Sequence, residues 1–552
     1  TVQGTLSVAI GNDAGTTSQG NYAVAVGNLA GNSAQSAQSV AIGDTAGETA
    51  QDILSVAIGP ISGNSSQGSR SVAIGSDTGT LTQGYNAVAI GSTAGKSNQG
   101  NITVAIGSAA GRTSQGDNSV AMGNHAGNDT QGSEAVSIGD NAGQISQGNL
   151  AVAIGDLAGN TSQGISSVAI GDSAGKTIQG TLAVAIGNDS GTTSQGANSV
   201  AVGQSAGNSS QGISSVAIGD EAGKTVQGSY AIAIGIQAGQ SSQLTSAVAI
   251  GYKTGTTNQD LRAIAIGDLA GNNTQGRSCI AIGDTAGRTS QGIEGIAFGS
   301  AAGNASQGTL SVAIGASAGQ TTQGANSIAM GVTAGNSSQG ASSVAIGDEA
   351  GKTVQGTLSV AIGNDAGTTS QGNYAVAVGN LAGNSAQSAQ SVAIGDTAGE
   401  TAQDILSVAI GPISGNSSQG SRSVAIGSDT GTLTQGYNAV AIGSTAGKSN
   451  QGNITVAIGS AAGRTSQGDN SVAMGNHAGN DTQGSEAVSI GDNAGQISQG
   501  NLAVAIGDLA GNTSQGISSV AIGDSAGKTI QGTLSVAVGN DAGTTSQGLT
   551  AV

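Results

Sequence analysis

Few side chains in this chain of 552 residues have the chemistry for a reaction or an ion. The imidazoles are His125 and His477, and the single thiol is Cys279. A general base needs a second group in fixed relation to it. His125 and His477 are one residue seen twice, in two copies of one segment, at a turn position held in other units by Asp, Leu, Ser or Glu, and no second catalytic group stands in a fixed relation to it. They read as solvated turn residues. Cys279 stands where most equivalent positions hold Ser or Ala, so it reads as a small strand residue, with no internal disulfide partner. Asp44, Asp156 and Asp172 fall at one recurring place, but Asn, Ser, Pro, Gln, Ile, Ala, Val and Tyr also occur there. A calcium ladder needs several hard oxygens converging on each ion. The nine-residue Gly-Gly-x-Gly-x-Asp pattern of calcium-binding rolls is absent. The run Ala174–Thr177 reads AGKT but lacks the upstream glycine spacing and the following helix of a phosphate loop. No catalytic, cofactor-binding or metal-binding residue is therefore assigned, and the chain is expected not to be an enzyme.

Charge excludes further classes. The net charge is −18, only 8% of residues are charged, and no basic stripe exists for nucleic acid or an anionic membrane surface. No apolar run is long enough for a membrane-spanning helix, and no signal peptide is visible. Asn-x-Ser/Thr sites at Asn64, Asn101, Asn128, Asn160, Asn208, Asn272 and Asn304 could accept glycans in a secretory pathway, or arise by chance where Asn, Ser and Thr are so common.

What must position these residues is a repeat. From Ser7 to Thr550 the chain runs without insertion or deletion as 34 units of 16 residues, the first being SVAIGNDAGTTSQGNY. Position 2 is Val or Ile. Position 3 is Ala except at Ser137 and Ser489, and position 4 is Ile, Val, Met or Phe. Positions 5 and 9 are Gly and position 13 is Gln in every unit, while position 14 is Gly in 28 of 34. The exceptions at position 14 are Ser36, Asp52, Leu244, Asp260, Ser388 and Asp404, in adjacent pairs. Pro60 and Pro412 sit at position 6, where a turn tolerates the lost donor. Residues 1–182 recur unchanged as 353–534. Thr1 falls inside a unit, so the chain reads as an excerpt or mature segment of something longer.

Sixteen residues are too few for a helical hairpin, and Gly at two fixed places would weaken helices. The alternation over positions 1–5 predicts a strand, positions 10–13 a second short strand, and the glycines the turns between them. The predicted fold is all-β: a parallel β-solenoid, or β-roll, of 34 coils with two short strands each, continuous over residues 1–552. Coils about 4.8 Å apart would make an elongated rod of roughly 160 Å. With one Phe, no Trp and 98 Gly, the interior must be narrow and aliphatic. Val at position 2 and Ile at position 4 are expected to fill it. Ala at position 3 then faces outward, yet stays small and apolar, which points to burial against other copies of the chain. The two faces can be exchanged, and a multimer follows either way. The Gln column at position 13 is expected to stack as a structural amide ladder; the competing reading is an exposed array that binds a repetitive surface.

The phrases SVAIG, AVAIG and AVAVG, each followed by a small-residue turn and another Gly, resemble the head repeats of trimeric autotransporter adhesins of the YadA type. The resemblance implies a left-handed parallel β-roll, three chains packed about an axis, and a cell-surface location. The AG-x-x-x-QG half is similar to repeats in fibre proteins of large DNA viruses and phages. The expected function is a structural fibre or filament of an extracellular or virion-surface appendage, self-associating as a homotrimer or higher filament. The alternatives are an adhesive rod that binds a host-surface or matrix receptor, and an ice-binding protein. Leu81, Asp129, Ile145 and Asn273 interrupt the Thr/Ser column at position 11 that ice binding would use.

Overall fold

The computed structural model describes residues 2–552. Among these residues there is no helix, and the strands pair in parallel with their equivalents in neighbouring coils. The chain is a parallel β-solenoid of about 34 coils. It divides into two compact units, Thr1–Ser278 and Cys279–Val552, each holding 17 repeats.

One coil, residues 151–166, serves for all. Its first strand is Val152–Ile154, at positions 2–4, and its second is Ser162–Gln163, at positions 12–13. Each residue stands beside its equivalent sixteen residues on: Val152 beside Val168, Ala153 beside Ala169. The backbone bonds upward and downward in alternation. The Gly159 and Gly164 N–H groups donate to Ala174 and Gln179 of the next coil, and Gly155 N–H donates to Ile138 of the previous one, each at 2.8 Å. A coil alone has almost no internal ladder, so its stability comes from its neighbours.

The three glycine columns have different causes. Gly155 has φ +131°, a conformation open only to Gly, and a Cβ there would lie 2.5 Å from the carbonyl oxygen of Gly171. Gly159 has φ +55°, and a Cβ there would meet the Gln163 amide at 2.6 Å. Gly164 has ordinary φ, but its Cβ would strike the Gly180 backbone of the next coil at 2.5 Å. Among the coils without Gly at position 14, that of Asp260 keeps Asn258–Gln259 as a strand. Around Ser36, Asp52 and Leu244 the second strand shrinks to single bridges, such as Gln35 to Gln51 and Gln51 to Gln67. The coil-to-coil bond from Leu54 N–H to Ala37 stretches there to 3.2 Å.

The faces are the reverse of the main expectation. Ala153 is fully buried, as is Ala at position 3 in nearly every coil, together with the small residues of positions 1 and 8. Val152 and Ile154 are only half-buried and point outward. The reason is volume. Short turns over 155–161 and 164–167 close the coil tightly, and the long Gln side chain at position 13 also lies inside. A lumen holding that amide has room for Ala, Ser or Thr and none for Val or Ile. The interior is thus a column of Ala, Ser and Gln, narrow as expected but not made of Val and Ile.

Candidate functional site

Among the described residues, the polar side chains that every coil holds in a constant buried geometry are the position-13 amides. Gln163 is 3% exposed, and its Nε2 donates to the Val152 carbonyl of its own coil at 2.7 Å and to Ser167 of the next at 3.4 Å. The bond to the position-2 carbonyl repeats in coil after coil, for example from Gln131 to Val120 at 2.7 Å and from Gln435 to Val424 at 2.7 Å. From Gln227 the amides also join one another: Nε2 of Gln227, Gln243 and Gln259 donate to Oε1 of the following Gln at 3.1–3.2 Å. Ser137 and Ser489, the two departures from Ala at position 3, each donate a hydroxyl to Gln147 or Gln499 Oε1 at 2.6 Å. These buried amides are structural, and the exposed-array reading of the Gln column is overturned.

The residues with chemical potential are scattered along the turns. His125 lies in the turn between the two strands at φ +54°, its N–H bonded to the Ser108 carbonyl at 2.8 Å, and His477 repeats that geometry on Ser460. Cys279 is buried inside the coil, with Sγ 2.6 Å from the Gly292 carbonyl oxygen. Asp44, Asp156 and Asp172 sit on the turn at position 6, and the chain Asn12–Asn28–Asp44 is linked by side-chain bonds of 3.1 and 2.8 Å. Among the described residues no group of three His, Cys, Asp or Glu could hold a metal ion. Lys176 of the AGKT run lies on a solvent-facing turn of a coil. Pro60 fits because no N–H at position 6 takes part in the coil-to-coil ladder.

Most sequons are internal braces. Asn160 Nδ2 donates to the Asn141 carbonyl of the previous coil at 3.0 Å, and Asn64, Asn208, Asn272 and Asn304 make the same bond to position 7. Asn128 is 7% exposed and bonds Asp129, while Asn101 bonds Asp117. Glu221 has the most developed charged contact: Lys224 Nζ lies at 2.5 Å, with Gln237 and Gln240 amides at 2.8 and 2.5 Å. The Lys224 bond, then that of Gln237, holds the carboxyl below its ordinary range against the opposing cost of partial burial.

Two surface features recur. One is a shallow groove at each pair of position-14 departures, about 300 Å³ between Ser36, Asp52 and Gly68, with a duplicate at Ser388 and Asp404 and a smaller one of about 220 Å³ at Leu244 and Asp260. The Asp carboxylates turn back on the chain: Asp52 and Asp260 Oδ1 accept from the following N–H at 2.7 and 2.6 Å. The other is the outward double row of positions 2 and 4, with Ile218 38% and Phe298 53% exposed. Position 16 borders that row and carries Tyr22, Leu54, Ile102, Leu150 and Leu182, all well exposed. Sequence reasoning foresaw an apolar second face but put Ala on it; the length of the Gln side chain at position 13 was the signal that the interior was already occupied. No family model and no curated protein matches the chain.

Proposed function

We propose that this chain is a non-catalytic structural fibre protein that assembles with copies of itself, as part of a surface appendage of a cell or virion. The observation that supports it is the outward double row: every coil turns two β-branched or large apolar side chains to solvent and keeps its smallest inside. A continuous exposed apolar stripe along each unit is uncommon on a monomer and marks an association surface. The amide column and the constant register give a stack whose coils are interchangeable, as a filament element requires. Mass photometry and sedimentation of the purified chain test the proposal. A multimer that electron microscopy shows as a fibre is the expected result, and a stable monomer at micromolar concentration overturns it.

A second reading, an adhesive module, is favoured by the three recurrent grooves at Asp52, Asp260 and Asp404, which break an otherwise uniform surface. Binding of the chain to cells or matrix, abolished by restoring Gly at these positions, would support it.

A further inference from the structure

Position 16 carries a mirror-symmetric message. Within the first unit, Arg70 stands as far before Ile102 as Glu134 stands after it. Leu54 mirrors Leu150, Tyr22 mirrors Leu182, and Asn86 mirrors Asn118 about the same centre. Apolar meets apolar, amide meets amide and plus meets minus. The segment recurs in the second unit about Ile454. The remaining charges at position 16 obey the same rule in sequence: Arg262 and Glu294 lie equally far either side of Ser278, as do Arg70 and Glu486.

We infer that the partner on the outward Val/Ile stripe is a second copy of this chain, packed face to face and antiparallel, with Arg70 opposite Glu134 of the equivalent segment. This rests on the self-association proposed above and specifies its geometry. The position-16 row borders the stripe, and Arg70 and Glu134 are exposed with no ion-pair partner among the described residues. Two-fold symmetry allows two face-to-face arrangements. An axis parallel to the strands reverses the order of coils and lays the position-16 row on the partner's position-16 row. Every mirrored pair then meets, and two Arg–Glu contacts form about each centre. An axis along the stacking direction, through position 3, keeps the coils parallel and lays position 16 over position 6 of the same level. Glu134 would then face Asp140, and Leu150 and Leu182 would face Asp156 and Asn188. Like charge on like charge and leucine on carboxylate both disfavour that arrangement. The area suffices. Eleven coils at about 4.8 Å, with a face about 13 Å wide from position 16 to position 4, offer roughly 700 Å² per partner. Specific stable interfaces take about 600–1,000 Å² from each side.

Cysteine crosslinking of the full chain tests this in a Cys279→Ser background, with substitutions made in both copies of the duplicated segment. Ile102→Cys with Ile454→Cys should crosslink to itself under mild oxidation. Leu54→Cys with Leu406→Cys should crosslink only when mixed with chain carrying Leu150→Cys and Leu502→Cys. Charge reversal of Arg70 and Arg422 to Glu should weaken association about tenfold, and adding Glu134→Arg with Glu486→Arg should restore it. Circular dichroism confirms that each variant keeps its fold. A multimer in which the mixed pair fails to crosslink, or in which the double reversal does not rescue, overturns the antiparallel arrangement and leaves the fibre reading standing. A monomeric parent chain overturns both.

Discussion

At the scale of single residues, the invariant positions report backbone demands. The glycine columns at 5, 9 and 14 were legible because nothing else occurs at the first two, and each proves to need a φ or a contact that a Cβ forbids. Gly123→Ala, whose Cβ would lie 2.2 Å from the Gly139 carbonyl oxygen, should locally destabilise by about 3 kcal/mol or more. His125→Ala on the neighbouring turn should stay within about 0.5 kcal/mol; hydrogen exchange of the flanking coils distinguishes the two. Positions 7 and 16 were not legible. Leu29, Ile61, Tyr22 and Leu54 all adopt φ near +60°, a region costing β-branched and bulky residues about 1–2 kcal/mol. Bonds to the previous coil, such as Leu29 N–H to Asn12 at 2.8 Å, hold them there, and no local preference of Leu or Ile announces this. The Glu221 carboxyl adds a pH dependence. Its folded pKa lies below the unfolded one, so the Lys224 contact contributes above the ordinary carboxylate range and is lost as pH falls through the lowered value. The pair lies at the surface, where solvent screens it, so the effect on stability should be small; NMR titration of Glu221 should show the lowered midpoint.

At the scale of the strand, alternation says that two faces exist, not which one is inside. Positions 2–4 were readable as a strand, and the second strand fell within its expected span, trimmed to positions 12–13. The interior was misassigned because Val and Ile outrank Ala in hydrophobicity, whereas fit is decided by the volume left beside a buried Gln. Paired substitutions on neighbouring residues expose the difference. Ala153→Val forces methyl groups into a filled lumen and should cost about 1–3 kcal/mol. Val152→Thr, on the outer face, should cost less than about 1 kcal/mol and weaken self-association instead. Thermal unfolding separates the stability effects, and sedimentation reads the assembly. A larger loss from Val152→Thr than from Ala153→Val would restore the original assignment of faces.

At the scale of the whole chain, the repeat count and the parallel register were legible in full, since 34 units without insertion leave no other way to pair. Oriented material should give a layer spacing of about 4.8 Å along the coil axis. What covers the outer stripe was not legible from one repeat, because the message lies in the order of position-16 residues across many coils. An uninterrupted frame has one more consequence. No turn is long enough for a protease to lift a segment free without breaking bonds to both neighbouring coils. The places where the second strand is reduced to single bridges, around Gln35–Gln67, Gln243 and Gln387–Gln419, are therefore where a folded chain should first be nicked. Digestion should yield a ladder of large, discrete fragments, with most peptide bonds untouched.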